Sequence, residues 1–368
     1  MKIMHIISSL NIGGVETLLL DVCENIKDSN LDSVIVYNKE GSLSSEFQKT
    51  KAKLIKITPM KYSKDRIKFI LQLRKIIKKE KPDLIHAHFP NYALFTYFAA
   101  IGLKIKKVFT LHGDEPRYYN SLRFVVSRMD ATIFVSKSFL QTMIKKVKLN
   151  IKKPFVLNNG INFNSLNNKE KKLKQELGLS EKSILVGMVG RFSSEKDPLT
   201  ICRSIGILTK NYKNIYLVFI GPKSPHEPHI YDNCLNYCEK NNIKDKVFFI
   251  GERRDISNIL NSLDIFVLSS FNESFGKSLV EAMFMKVPCI ASNIPPFLEL
   301  SENGKYSFIF KTKNETDLAL KIEQIINLNQ TKKNNFTEEA KKYVLNKFSI
   351  EKQVEGLINI YNTLLSKK

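Results

Sequence analysis

The chain has 368 residues, 43% of them hydrophobic, which excludes a disordered protein and, at roughly 100–200 residues per domain, points to two domains, each with its own core. Five cysteines (Cys23, Cys202, Cys234, Cys238 and Cys289) stand without framework spacing, so a disulfide scaffold is excluded and a reducing compartment is expected. A net charge of +22 speaks to association rather than to fold. The basic residues are spread along the chain with no nucleic-acid motif around them, which argues against nucleic acid and leaves an anionic membrane surface or a compositional lysine bias.

The opening residues Met1 to Ile7 turn polar too soon for a signal peptide, and no apolar run reaches the ~18–20 residues of a membrane span. A cytoplasmic protein is expected. Lys2 to Ser8 reads as a buried strand. It runs into Asn11-Ile12-Gly13-Gly14-Val15-Glu16 and an apolar-periodic helix from about Val15 to Ile26. Strand, glycine turn and helix suit a loop that approaches phosphate, although a lone Gly-Gly is also ordinary turn chemistry. Strands follow at Ser33 to Tyr37 and Lys53 to Ile57. A helix from Lys64 to Lys79 carries Arg66, Lys68, Arg74, Lys75, Lys78 and Lys79.

Pro82 to His88 is a further strand, with His86 and His88 on one face by the period of two. No other ligand clusters with them in sequence, so His86 is expected to pack and His88 to lie at the open end of the strand. An apolar helix spans Tyr92 to Leu103. Lys107 to Leu111 delivers His112-Gly113-Asp114 at a strand's carboxyl end, where open α/β sheets bind ligands. Ala131 to Ser136, a helix from Ser138 to the basic run Lys145-Lys146-Val147-Lys148, and Pro154 to Leu157 before Asn158-Asn159-Gly160 complete a doubly wound parallel sheet.

The polar stretch Asn162 to Lys182 reads as the passage between domains. A second α/β series starts with the strand Ile184 to Val189 and closes on Gly190-Arg191-Phe192, then Lys196-Asp197-Pro198. An arginine at a strand end and a lysine five positions on, before a helix opened by proline, can clamp a diphosphate. Strands follow at Ile215 to Ile220 and Val247 to Gly251. Cys234 and Cys238, with His226 and His229 upstream, lack the tight spacing of a structural zinc site.

Ile265 to Leu268 then leads into Ser269-Ser270-Phe271-Asn272-Glu273-Ser274-Phe275-Gly276-Lys277-Ser278 and a helix opening at about Gly276 that holds Glu281. Free N–H groups at a helix start favour an anion. Carboxylates beside them suit a sugar nucleotide, whose hydroxyls they would bind while the N–H groups face phosphate. Strands at Val287 to Ser292 and Ser307 to Phe310 and helices at Asp317 to Leu328, Glu338 to Phe348 and Ile350 to Leu365 end the chain. No Asp-x-Asp pair occurs, so no metal site and no cofactor are expected. Basic residues and a helix dipole would hold the phosphates instead.

Taken in order, Gly13-Gly14-Val15-Glu16, Pro82-Asp83-Leu84-Ile85-His86-Ala87-His88, Thr110-Leu111-His112-Gly113, Asn158-Asn159-Gly160-Ile161, Val189-Gly190-Arg191-Phe192 with Lys196-Asp197-Pro198, and Glu273-x7-Glu281 resemble the family 4 glycosyltransferases over nearly the whole length. These are retaining enzymes, many of them in bacterial capsule, O-antigen and exopolysaccharide assembly. The resemblance implies the GT-B fold: two Rossmann-like domains facing across a cleft, residues 1–175 (with a last helix at about 350–368) for the acceptor and 176–349 for the nucleotide sugar.

It further implies that Gly13 and Gly14 approach the donor phosphate and that Arg191 and Lys196 neutralise the diphosphate. Glu273 would hold the sugar and Glu281 the ribose. Backbone N–H groups from Phe275 through Gly276 and Lys277 to Ser278 would complete the phosphate site. His112 would contact the donor sugar or the reacting centre, and Arg253 or Arg254 would lie near the base. Val287, Ile294-Pro295-Pro296, Lys277 and Ser278 depart from the usual pattern, which weakens inference about the sugar. The expected donor is a UDP-sugar and the expected acceptor a glycan or a polyprenyl-diphosphate-linked saccharide, with the protein peripheral at the inner membrane face. A sugar-nucleotide 2-epimerase of the same fold and a non-catalytic sugar-binding member are the alternatives.

Overall fold

The computed structural model describes residues 1–26, 31–58, 65–167 and 170–366. They form two compact units, Met1–Ile161 with Ile350–Lys368, and Asn162–Ser349.

The first unit is built on seven parallel strands: β1 (Lys2–Ile6), β2 (Asp32–Tyr37), β3 (Lys53–Lys56), β4 (Leu84–Ala87), β5 (Lys106–Leu111), β6 (Ala131–Phe134) and β7 (Pro154–Val156), in the order β3-β2-β1-β4-β5-β6-β7. The second has six: β8 (Ile184–Val189), β9 (Ile215–Ile220), β10 (Val247–Phe249), β11 (Ile265–Leu268), β12 (Cys289–Ser292) and β13 (Phe308–Phe310), in the order β10-β9-β8-β11-β12-β13. Parallel strands covered on both faces must be apolar on both faces, which is why Ile265-Phe266-Val267-Leu268 and Leu84-Ile85 carry no polar alternation. In each sheet the strand order reverses once, between β1 and β4 and between β8 and β11. Those switch points place the following loops where ligands bind in doubly wound folds.

The stretch read as a passage between domains is part of the second unit. Phe163 and Leu166 are buried, Phe163 stacks on Phe284 with ring centroids 4.4 Å apart, and Asn258 Oδ1 and Ser262 Oγ accept from the amides of Lys172 and Leu173. The unit boundary therefore falls at Ile161, ahead of the expected residue 175. The last helix, Ile350–Leu365, belongs to the first unit. Its buried face of Ile350, Val354, Leu357, Ile360, Tyr361 and Leu364 packs with Ile3, Leu18, Leu84 and Ile133. Burying one such aliphatic side chain is worth ~1.5–3 kcal/mol.

Four helices depart from the sequence reading. Ser44–Lys49 and Tyr119–Val126 are too short to show periodicity. Pro295–Leu300 stands at the Ile294-Pro295-Pro296 departure, where no helix was expected, because proline is accepted at the first helical positions. Gln330–Lys347 begins well before Glu338, its exposed first turns having no apolar stripe, with the Asn329 side chain accepting from the Lys332 amide at 2.9 Å as the start signal. The helix expected from Lys64 runs Asp65–Glu80; Lys64 lies outside the described residues. No helix among the described residues is long and apolar enough to cross a membrane.

Candidate active site

In the second unit the loops after β8 and β11 meet at the switch point. The Ser269 hydroxyl lies 2.8 Å from both the Lys196 and Asp197 carbonyls, and the Phe271 amide donates to the Glu195 carbonyl at 2.9 Å. Asp197 takes a left-handed backbone conformation ahead of Pro198, and Thr200 donates to its carboxylate at 2.6 Å, which opens the helix Pro198–Leu208. This pinning brings the Lys196 ammonium onto the Glu273 carboxylate as an ion pair, each side chain under a fifth exposed. Arg191, just past β8, is exposed.

Beyond Glu273, Phe275 is buried edge-on against Phe348 and can offer only its backbone to a ligand. Gly276 caps the helix Lys277–Phe284 at φ 111°, and a Cβ there would come within 2.8 Å of the Phe297 ring. The helix opens at the position expected from sequence. The amides of Lys277 and Ser278 come ahead of the first bonds of the helix, which begin with the Leu279 amide donating to the Gly276 carbonyl at 3.1 Å. Lys277 Nζ lies 3.7 Å from Glu281 Oε1 one turn on.

Arg253 is committed elsewhere. Its guanidinium grips both oxygens of Asp255, at 2.7 and 2.6 Å, and reaches Glu176 at 3.0 Å, holding the Asp255 carboxyl well below the usual range. Arg254 beside it is exposed. Cys202, not grouped with them in the sequence, joins Cys234 and Cys238 inside the apolar core of this unit, while His226 and His229 are exposed. The thiols are packing groups there.

In the first unit, Gly13 caps the helix Gly14–Asn25, and a Cβ on Gly13 would lie 2.4 Å from the Glu16 carboxylate. Glu16 is itself buried, 3.4 Å from the Ser8 hydroxyl, and burial raises its pKa.

The same switch point holds a histidine cluster that sequence reading did not assemble. His5 of β1 is the register partner of His86 on β4, and both are buried. His88 is buried too, rather than open at the strand end. His5 Nδ1 and His88 Nε2 are 3.1 Å apart, and His88 Nδ1 and His112 Nε2 are 3.2 Å apart. His86 is held at 2.7 Å on both nitrogens, by Tyr361 of the last helix and by Thr110. Ligand atoms of His5, His86 and His88 all lie within 4.8 Å of one another. Burial pulls His5 and His112 from an ordinary 6.5 down to about 4, and holds His86 and His88 well below their usual value. The rings are neutral at pH 7. A small cavity against them is also lined by Asn159, whose Oδ1 is buried without a hydrogen-bond partner, and by Gln353. What could have flagged His5 was its place as the fourth of five strand residues, facing His86 of the neighbouring strand; 81 residues of separation hid it.

Two Rossmann-like units, each with a polar switch point and one with a cation–carboxylate pair beside a helix start, define the GT-B class of proteins. Residues 12–165 match the family described as Glycosyltransferase Family 4, and residues 169–343 match Glycosyl transferases group 1. Between them these matches take in most of the chain, which belongs to the family 4 glycosyltransferases and is an enzyme of that type. Among relatives, the Escherichia coli UDP-Gal:alpha-D-GlcNAc-diphosphoundecaprenol alpha-1,3-galactosyltransferase is 25% identical over 100% of this chain and 98% of its own. The Bacillus anthracis N-acetyl-alpha-D-glucosaminyl L-malate synthase is 27% identical over 80% of this chain and 78% of its own. Among solved structures, Anabaena HepE in complex with UDP and glucose superposes with a TM-score of 0.87 at 19% identity, covering 99% of this chain and 100% of that one. A Rickettsia africae glycosyltransferase gives 0.87 at 21% identity, covering 100% and 99%.

Proposed function

We propose that the protein moves a hexose or N-acetylhexosamine, with retention of anomeric configuration, from a UDP-sugar to a hydroxyl of a glycan or polyprenyl-diphosphate-linked saccharide in cell-surface polysaccharide synthesis. The observation that carries this reading is the Lys196–Glu273 pair at the switch point of the second sheet, next to the start of the helix Lys277–Phe284. Cation, carboxylate and helix N–H groups in one place answer the three parts of such a donor: diphosphate, sugar hydroxyls and developing negative charge. The E. coli relative named for UDP-Gal and a diphosphoundecaprenol-linked acceptor, and HepE with UDP and glucose, support the choice of donor and acceptor.

In the reaction the leaving phosphate oxygen would take the proton of the acceptor hydroxyl on the face of the sugar it departs from. The protein's part is then electrostatic. Arg191 and Lys196 carry positive charge to the diphosphate, with Glu273 aiming the Lys196 ammonium until sugar hydroxyls share its carboxylate. The N–H groups of Phe275, Gly276, Lys277 and Ser278 add a fixed dipole, and Glu281 reads the ribose. Gly13, Gly14 and His112 of the first unit address the donor's phosphate and sugar. Arg253 positions its loop through Asp255 and Glu176, which leaves Arg254 as the exposed group for the base. No metal ion takes part.

A panel of nucleotide sugars tested for thermal stabilisation reads the donor, since a ligand at 100 times its Kd raises stability by about 2.7 kcal/mol. A UDP-sugar is expected to raise Tm and to be transferred, in EDTA as in buffer, giving an α-linked product by NMR from an α-linked donor. Stabilisation only by other nucleotides would overturn the UDP assignment, and an inverted product the retention. Conversion of the donor without acceptor would identify an epimerase, and transfer to L-malate instead of lipid-linked sugar would redirect the acceptor.

A further inference from the structure

The three imidazoles of His5, His88 and His112 come from β1, from the residue after β4 and from the residue after β5. They make two consecutive nitrogen-to-nitrogen contacts, of 3.1 and 3.2 Å. Their rings lie in similar planes, tilted by 26° and 24° across the two contacts. We propose that they form one line with a single shared tautomer, and that His88 is a positioning residue that sets whether His112 presents an N–H or a lone pair at Nδ1. This rests on the reading that His112 addresses the donor.

A neutral imidazole has one N–H and one lone pair. Burial keeps all three rings neutral at pH 7. Two N–H groups or two lone pairs facing each other would leave buried polar atoms unsatisfied, at about 1–3 kcal/mol each. Only head-to-tail arrangements avoid this. If His5 Nδ1 donates to His88 Nε2, then His88 Nδ1 donates to His112 Nε2, and all three carry the proton on Nδ1. If the line runs the other way, all three carry it on Nε2. The tautomer of His112 is thereby tied to that of a residue two rings away. His86, with ring centroid 4.3 Å from that of His88, stands outside the line because Tyr361 and Thr110 occupy its nitrogens. It acts as a wall that fixes the His88 ring.

The test has two arms. Long-range ¹H–¹⁵N spectra of the histidine-labelled full chain at pH 7 should show His5, His88 and His112 neutral and in the same tautomer; a mixture, or a protonated ring, overturns the proposal without need of any variant. In the second arm, His88→Asn keeps a polar atom where Nδ1 meets His112, whereas His88→Gln keeps one where Nε2 meets His5. His88→Asn should hold kcat within about threefold. His88→Gln should lower it about 10- to 100-fold, the scale of a misplaced group, with donor KM changed less than about threefold. Equal loss or equal retention in the two variants overturns the proposal, as does stoichiometric zinc binding that His5→Ala abolishes, because a metal would replace the His5–His88 hydrogen bond. His112→Ala serves as the separate control. If it transfers sugar at the normal rate, the reading of His112 fails, whatever the spectra show.

Discussion

At the scale of single residues, the pairing of Lys196 with Glu273 changes how either should be tested. Each is the other's partner, under a fifth exposed, so removing one leaves the other a partly buried, uncompensated charge. Arg191→Ala, Lys196→Ala and Glu273→Ala are each expected to lower transfer by at least ~10²-fold, the loss of one preorganised stabilising group. Because Lys196 and Glu273 act as a unit, the double variant should cost about as much as the worse single one rather than the product of the two. Steady-state kinetics of the four proteins decides this, and near-normal rates in the three single variants would remove the site assignment. Motifs made these residues legible one by one. Their contact was not legible, since it depends on the Ser269 hydroxyl and the Phe271 amide tying together two loops 73 and 76 residues apart in the chain.

At the scale of elements, two helices carry the argument. The helix Lys277–Phe284 is entered through Gly276 at φ 111°, packed against Phe297 and Leu300. Gly276→Ala adds a Cβ where both backbone and space refuse it and should destabilise the second unit by about 1–3 kcal/mol. An unchanged urea midpoint would show that the cap relaxes at no cost. The last helix, Ile350–Leu365, is tied to the histidine cluster by the Tyr361 hydroxyl, 2.7 Å from His86 Nδ1. Tyr361→Phe leaves that nitrogen unsatisfied in the core and should cost the first unit about 1–3 kcal/mol; a stability equal to wild type would mean the bond contributes nothing net. The 3.6-residue period exposed the amphipathic helices to sequence reading. Pro295–Leu300 and the start of Gln330–Lys347 escaped it because proline at a helix start reads like a turn and a polar helix has no stripe.

At the scale of the whole molecule, charge and burial set two behaviours. Four histidines of the first unit, three of them buried and His112 half-buried, have pKa values below those of the unfolded chain, about 4 against 6.5 for His5 and His112. The unfolded state therefore binds protons first. The stability these rings leave intact is fully present above about pH 6.5 and is lost as pH falls toward 4, by an amount on the order of several kcal/mol. Urea unfolding of the first unit followed at pH 7.5 and 5 should show the midpoint falling; a flat profile would contradict the buried neutral cluster.

The basic surface has a second test. On the helix Asp65–Glu80, Ile67 and Leu71 are 69% and 55% exposed beside the exposed Arg66, Lys68, Lys75, Lys78 and Lys79. Arg74 donates to the Ala99 and Ile101 carbonyls, and Lys146 pairs with Asp114. Apolar side chains ringed by lysine suit an anionic bilayer. Sedimentation with phosphatidylglycerol vesicles at low salt should carry the protein down, and Ile67→Asp with Leu71→Asp should release it. Absence of sedimentation would remove the membrane surface from its partners.

The amino-acid sequence by itself determined the two α/β series, the strands, the helix start at Gly276 and the ordered motifs of the family, because apolar period, glycine turns and proline starts act over a few residues. Only the tertiary structure decided which side chains meet: Lys196 with Glu273, Arg253 with Asp255 and Glu176, and His5 with His88 and His112. Parallel sheets bring together strand ends far apart in the chain. At a switch point the neighbours of a residue are set by strand order, which no local pattern encodes.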